Sequence, residues 1–378
     1  MAQTASPTAT MRSLGVRKYG VPSEYEVLEL PIPAISNPTD VLIRVHAAGI
    51  QTGDTQMAGG SFKLVAKAKF PFKISLGGAG VVSAIGPAVT AFKPGDPVYG
   101  AYFKHGHVFP PPAPGFASDY VVCPADVLLP KPSSLSFEEA AALAGSVVTA
   151  AQCIQRYFEL TGQPRDTASL EGKTVFVPGA LSACGSVFVQ VVKNVFGAEG
   201  VISTVSTAKM GLVKELLPEG VVDMVLDYKT QNVVKEVGKG KVDLVLNTQW
   251  DMVGTFPLVE PTRGAVVSIA SVPSERTVRK MVGESEKVPF LWLVVWVLRA
   301  AHWWYAWKLR GTNVKQDFVS GNMGDRETVE KSGEWVAAGK IKAVMTVVDL
   351  DDIEAVRKHC QMVATGKGGL GKLVVKLV

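Results

Sequence analysis

Residues 174–190 constrain the fold more than any other stretch. Thr174 to Pro178 is an apolar, β-branched run that stops at Gly179, and after a short run of small and apolar residues Gly185 opens a helix with Val187, Val191, Val192 and Val195 on its apolar face. A strand, a tight turn of small residues and a helix N-terminus together make an anion site. Backbone amides converge there, the helix dipole favours negative charge, and missing side chains allow close approach. The arrangement suits a dinucleotide pyrophosphate, with Gly179, Ala180, Ser182, Ala183, Cys184 and Gly185 as its candidate contacts. The usual G-x-G-x-x-G spacing is degraded, because Ser182 and Ala183 stand where glycines are expected. The surrounding sequence must therefore carry part of the assignment.

The chain has 378 residues, which points to two domains, one of them able to be discontinuous. With 47% apolar and 19% charged residues a sizeable core is assured. The formal net charge of +5 is mild and no basic run interleaves with aromatics, so nucleic acid is not expected as a partner. Cys123, Cys153, Cys184 and Cys360 lie far apart without a C-x-x-C pair, which fits a reducing compartment and excludes a disulfide framework. The first dozen residues are rich in Ala, Ser and Thr and lack an apolar stretch, so no secretory signal is read there. A cytoplasmic location is expected, with a mitochondrial address as the alternative.

Three regimes follow along the chain. From Leu14 to Leu129 short β-like runs (Val41–Ala47, Gly80–Ile85, Pro97–Tyr99, Asp119–Val122) are broken by Gly, Pro and Asp, as in a mostly antiparallel barrel. Ser136–Tyr157 reads as helix, capped by Ser136 with Glu138 and Glu139 in its first turn. Between Lys173 and Ile269 buried strand runs at Val175–Val177, Val201–Val205, Met224–Leu226, Val242–Leu246 and Ala265–Ile269 alternate with helical stretches such as Lys209–Leu217 and Asn232–Val237. That is the rhythm of a doubly wound parallel sheet. A further βα passage follows residue 311, and Leu373–Leu377 is expected to pair back into the barrel. The expected organisation is an α/β chain with a first domain over 1–145, a nucleotide-binding domain over 146–320 carrying an insertion at about 286–310, and a return to the first domain over 321–378.

Several phrases in this order and spacing carry a resemblance: VLIRVHAAGI at Val41–Ile50, AGVVSAIG at Ala79–Gly86, FKPGDPVYG at Phe92–Gly100, GFASDYVV at Gly115–Val122, SFEEAAA at Ser136–Ala142, DYKT at Asp227–Thr230 and GKLVV at Gly371–Val375. Along almost its whole length the chain resembles the medium-chain dehydrogenase/reductase superfamily. Within it, the chain is similar to the zinc-free quinone oxidoreductase and enoyl reductase branch, including reticulon-interacting-type reductases and stand-alone reductases of fungal secondary metabolism. The resemblance implies a GroES-like β-barrel catalytic domain, a Rossmann domain, and hydride transfer in the cleft between them.

Residue chemistry bears on metal and cofactor. Zinc members hold a catalytic metal with thiolate, imidazole and carboxylate ligands. Here Gln51 follows Gly49-Ile50, and Ser75–Gly78 offers neither His nor acid. His105 and His107 form an H-x-H without a third ligand nearby, so no metal is expected. Without zinc, reduction of a C=C conjugated to a carbonyl is favoured over alcohol chemistry. NAD-binding folds place Asp or Glu about 20 residues past the glycine turn, on the adenosine ribose. Val201–Lys209 has no carboxylate, whereas Ser206 and Lys209 offer a hydroxyl and a cation to a 2′-phosphate. The resemblance adds Tyr228 as a contact there, and carries Asn247 and Lys372 over as further cofactor contacts. NADPH is the expected cofactor.

Relatives read G-I-N-P-x-D-x-K where this chain has Gly49-Ile50-Gln51-Thr52-Gly53-Asp54-Thr55-Gln56. Gln51 can hydrogen-bond the nicotinamide ribose or a substrate carbonyl, and Asp54 either braces the loop or takes part in the chemistry. Gln56 cannot give a proton as lysine would. Thr149 matches a threonine that faces the nicotinamide in the family. Tyr102, His105 or His107 could protonate the α-carbon, and solvent is the alternative donor.

Val288–Lys308 carries five of the seven tryptophans, Trp292, Trp296, Trp303, Trp304 and Trp307. Its first half is apolar all round, which predicts burial on several sides. Arg299 and His302 interrupt it, so a subunit interface, as in a homodimer, or a hydrophobic roof over the substrate is expected rather than a membrane contact. The expected function is zinc-independent, NADPH-dependent hydride transfer to an activated C=C or quinone of a bulky apolar substrate, with a role in secondary metabolism. The alternative is a scaffold of the same fold that has lost turnover or steers a non-redox cyclisation.

Overall fold

A computed structural model describes residues 9–63, 67–103, 114–164, 169–282 and 291–378. The chain divides into two compact units, one formed by Met1–Gly145 with Met345–Val378 and the other by Ser146–Val344.

In the first unit the strands are β1 (Thr10–Val16), β2 (Glu26–Pro31), β3 (Asp40–Ile50), β4 (Phe72–Lys73), β5 (Gly77–Ile85), β6 (Pro97–Ala101), β7 (Tyr120–Pro124) and β8 (Leu128–Pro130). Helix α1 (Thr52–Ala58) follows β3, and α2 (Phe137–Leu143) follows β8. The long β3 is the spine, pairing antiparallel with β5 and β7. Its first half alternates, with Val41, Ile43 and Val45 inward and Arg44 outward. From Ala47 every residue of β3 is buried, because α2 lies on it there. A Cβ on Gly49 would stand 2.7 Å from the carbonyl oxygen of Ala141 in α2. The Ser136 hydroxyl accepts from the Glu139 amide at 3.1 Å and the Glu139 carboxylate accepts from the Ser136 amide at 2.8 Å, a reciprocal cap for α2.

The sequence predicts one helix over 136–157. Instead the chain breaks at Gly145, whose φ of 79° is left-handed and which packs against the Phe103 ring. A new helix, α3 (Ser146–Thr161), begins the second unit. There the strands are β9 (Thr174–Pro178), β10 (Gly200–Val205), β11 (Met224–Asp227), β12 (Leu244–Asn247), β13 (Ala265–Ser268) and β14 (Lys315–Phe318). They form a six-stranded parallel sheet in the order β11-β10-β9-β12-β13-β14. The order reverses at β9, so the loops after β9 and β12 leave neighbouring strands in opposite directions, which is where such sheets bind ligands.

The second unit's helices are α4 (Gly185–Gln190), α5 (Leu212–Leu216), α6 (Val233–Val237), α7 (Met252–Thr255), α8 (Glu275–Val282), α9 (Leu291–Lys308) and α10 (Arg326–Ala337). The single helix expected over 209–217 is a 3-10 turn, Thr207–Lys209, followed by the short α5. Phe176, Val245, Val266, Leu258, Tyr305 and Leu309 pack in one core cluster. Each such side chain contributes about 1.5–3 kcal/mol when fully withdrawn from water. The expectation of burial on several sides of the tryptophan segment is not met within this chain. Among its described residues, Val295, Leu298, Tyr305 and Leu309 are buried while Trp292, Trp296 and Trp303 are exposed.

The chain returns to the first unit at Met345, later than the expected 321. The intervening α10 belongs with the second unit, since Thr328 accepts from the Gln155 side chain of α3 at 3.0 Å. The return consists of β15 (Met345–Asp349), α11 (Ile353–Thr365) and β16 (Lys372–Lys376). As expected of the C-terminal run, β16 pairs antiparallel with β3, Leu373 opposite Ile50.

Candidate functional site

The glycine turn leaves the C-terminal end of β9. Gly179 has φ 78°, and its amide donates to the Thr204 hydroxyl at 3.2 Å while the Ala180 amide donates to the Thr204 carbonyl at 3.0 Å. The tip of β10 thus fixes the entry to the turn. The exit is fixed by Ser182, whose carbonyl accepts from the Ser186 amide at 3.1 Å and whose hydroxyl accepts from the Gly185 amide at 3.0 Å. The Ser182 oxygen therefore stands in for a glycine by capping the helix start, and its own proton can still be donated. At Gly185 a Cβ would lie 2.0 Å from the Gly179 carbonyl oxygen. The turn closes backbone on backbone, a cradle that any side chain at Gly185 would fill. These residues fit a dinucleotide pyrophosphate.

Beside it, the Thr248 hydroxyl after β12 donates to the Pro178 carbonyl at 2.6 Å, joining the two strand ends at the reversal point. Asn247, expected among the cofactor contacts, turns inward. Its amide nitrogen donates to the Gln249 carbonyl at 2.6 Å and the Ser268 hydroxyl at 2.9 Å, and the side chain is buried. It aligns the ends of β12 and β13 from inside the protein. Thr149 lies half-buried near the start of α3, which packs against β13.

At the edge made by β10 and β11, Val205 pairs with Asp227, bringing the residues that follow them, Ser206 and Tyr228, to the same end of the sheet. The Lys209 amide donates to the Ser206 carbonyl at 2.8 Å, so the three predicted residues share one locality. Tyr228 is exposed, and partial burial lowers the Lys209 ammonium below its usual range. Sequence reasoning missed Asp227 here. Its carboxylate accepts from the hydroxyls of Thr207 and Thr230 and the amide of Lys229, and these bonds, Thr207 first, hold it below the usual carboxylate range. The signal lay in DYKT itself, an acid at a strand end followed by a hydroxyl residue.

In the first unit, Gln51 starts α1 and its amide donates to the Asp54 carboxylate at 2.7 Å. Asp54 is buried, and loss of water drives its pKa up to about 6 against the opposing pull of the Gln51 amide and the Lys372 ammonium. The pairing of Leu373 with Ile50 sets Lys372 beside Gln51, and the Lys372 Cε lies 3.1 Å from where a Cβ on Gly49 would be. Gln51, Asp54 and Lys372 are thus brought together by strand register. Ser75, also missed, is buried at φ 79°, a left-handed conformation costly for a non-glycine residue, and its hydroxyl lies 3.0 Å and 2.8 Å from the carbonyls of Gly49 and Gly77. Tyr102 donates its backbone amide to the Leu76 carbonyl at 2.7 Å. Burial raises its phenol pKa, and the carboxylates of Asp40 and Asp126 add to the rise. His105 and His107 lie outside the described residues. Among the described residues no three His, Cys, Asp or Glu gather as a metal set.

Residues 37–133 match the family described as alcohol dehydrogenase GroES-like domain, and residues 222–375 match the family described as zinc-binding dehydrogenase. The chain belongs to the medium-chain dehydrogenase/reductase superfamily. Among relatives in that superfamily is a 2-methylene-furan-3-one reductase of Solanum lycopersicum, 32% identical over 192 residues, 51% of this chain and 45% of that protein. Another is the NAD(P)H oxidoreductase RTN4IP1, mitochondrial, of Bos taurus, 31% identical over 273 residues, 68% of this chain and 64% of that one. The chain spans about half the length of the first curated relatives it matches, 45% and 46%. The solved quinone oxidoreductase from Coxiella burnetii superposes with a TM-score of 0.73 over 98% of this chain and 100% of its own, at 20% identity, a likeness of fold.

Proposed function

We propose that this chain is an NADPH-dependent, zinc-independent oxidoreductase that reduces a C=C bond conjugated to a carbonyl, or a quinone, in a bulky apolar substrate. The observation that carries the reading is the Gly179–Gly185 turn, closed so tightly that a Cβ at Gly185 would stand 2.0 Å from a carbonyl oxygen. Its amides and the start of α4 hold a pyrophosphate, and Ser206, Lys209 and Tyr228 receive the 2′-phosphate. When bound, the nicotinamide supplies a hydride. Gln51, held at the start of α1, donates from its side-chain amide to the substrate carbonyl oxygen and so draws electrons away from the β-carbon. Lys372 beside it adds positive charge where the enolate oxygen develops. One hydride at the β-carbon and one proton at the α-carbon complete the reduction. Asp54 accepts from the Gln51 backbone amide and positions that residue, and the proton comes from Tyr102, His105, His107 or solvent. The reductase and oxidoreductase names of the relatives support this reading.

A cytoplasmic location and a homodimer are part of the proposal, as is a place in secondary metabolism. Gln56, which cannot give a proton where relatives carry lysine, supports a second reading, a cofactor-binding scaffold without redox turnover. One experiment divides them. The protein is given NADPH deuterated at the transferred position together with an α,β-unsaturated ketone or a quinone. Deuterium at the β-carbon of a saturated ketone, with NADPH consumed, is expected. Tight NADPH binding without consumption across both substrate classes would leave the scaffold.

A further inference from the structure

Helix α9 is apolar round the circumference of its first half, yet it needs only one seam to dock. Val295, Leu298, Tyr305 and Leu309 form that buried seam, and His302 holds the Val272 carbonyl at 3.2 Å. The opposite stripe, at helical spacing, shows Trp292, Trp296 and Trp303 to solvent at 67%, 64% and 71%, with Trp304 and Trp307 at its edge. Exposed indoles in such number mark an interaction surface.

Charge says what kind. The stretch from Glu275 to Lys315 has eight Lys and Arg against three Glu, an excess equal to the chain's whole formal charge of +5. Lys308 stacks over Trp304 and Trp307, and Arg310 lies 4.5 Å from the centre of the Trp307 ring, so cations and indoles share one level. Between α8 and α9 lies a cavity of about 650 Å³ lined by Arg276, Arg279, Lys280, Arg299 and Ser274. Among the described residues, Glu275 accepts from two of these cations, Arg279 at 2.9 Å and Arg299 at 3.0 Å.

We propose that α8 and α9 form a docking surface for an anionic phospholipid bilayer, the indoles entering the headgroup layer and a lipid phosphate seating between the two helices. Tryptophan beside Lys and Arg is the composition that rests at a membrane interface. The helix lies on the bilayer rather than through it, since no helix among the described residues is long and apolar enough to cross. A two-fold contact with a second copy would set this positive face against itself.

The test is flotation of the full chain with vesicles of phosphatidylcholine alone and of phosphatidylcholine doped with phosphatidylserine. Binding to the doped vesicles is expected to be about tenfold tighter or more, with a blue shift of indole emission and quenching by brominated acyl chains. Trp303→Ser with Trp307→Ser should weaken it about tenfold, and Arg276→Glu with Arg279→Glu should remove the anionic preference, both with unchanged thermal melting. Absence of binding, equal binding to both vesicles, or full displacement by inorganic phosphate overturns the proposal. So does a stable dimer in sedimentation that the tryptophan changes dissolve while vesicles go unbound.

Discussion

The Thr207 hydroxyl donates to Oδ2 of Asp227 at 2.6 Å, tying the turn after β10 to the tip of β11. With Thr230 and the Lys229 amide also bonded to it, this carboxylate is directed into the protein. What the edge presents outward is Ser206, Lys209 and Tyr228. NADPH is therefore expected to bind at least about tenfold tighter than NADH, a difference of about 1.4 kcal/mol. Lys209→Ala with Tyr228→Ala should remove most of that gap while NADH affinity holds. Calorimetric titration of both cofactors decides it, and equal affinities in the unmutated protein sink the idea.

The turn makes two contrasting expectations. Gly185→Val must open the contact with the Gly179 carbonyl, separating α4 from β9, and should abolish cofactor binding. Ser182→Ala removes one acceptor from the start of α4, a loss of about 1 kcal/mol in stability by comparison with other helix caps, and should leave binding measurable. Fluorescence titration of NADPH with both variants checks this pair. Near-normal affinity in Gly185→Val would falsify the placement of the pyrophosphate.

Much of this was legible in the sequence because it is local. The β9–turn–α4 pattern, the Ser136 cap and the strand rhythm after Lys173 each depend on residues close in the chain. The bonds that hold Asp227 and Asn247 are not legible there, because partners such as Thr207 and Ser268 come from other parts of the sheet. The side-chain amide of Asn247 donates to the Ser268 hydroxyl on the neighbouring β13, a pairing 21 residues away in the chain. Gly145 looks like one more small residue in an alanine-rich helix until the Phe103 ring and a positive φ show why the helix ends there. The register that sets Lys372 next to Gln51 joins two strands from opposite ends of the chain, and no local pattern encodes it.

The family match over 222–375 carries zinc in its description, and the residues here point the other way. Gln51 occupies the thiolate position, and Ser75 to Gly78 offer no acid or imidazole. Elemental analysis of the purified protein should find no stoichiometric zinc, and prolonged chelation should leave turnover and melting temperature unchanged. About one zinc per chain, lost together with activity on chelation, would count decisively against a metal-free reaction.

Asp54 makes stability depend on pH in an unusual direction. Its folded pKa of about 6 lies above the ordinary aspartate value of 3.8, so the folded chain holds a proton that the unfolded chain releases. The sign follows: this contribution is fully present below about pH 4 and is lost as pH rises through about 6. The loss approaches about 3 kcal/mol at most, because the folded carboxylate binds its proton roughly a hundredfold more tightly than the unfolded one. Asp54→Asn keeps the shape and an oxygen for the Gln51 amide but cannot ionise. Relative to the unmutated protein it should gain stability between pH 4 and pH 7 by up to that amount, whatever its standing at pH 4. Urea unfolding of both proteins at the two pH values measures the change, and other titrating groups cancel in the difference. A variant whose stability relative to the parent stays constant across the range would show that Asp54 is ionised throughout, and that Lys372 and the surrounding amides outweigh its burial.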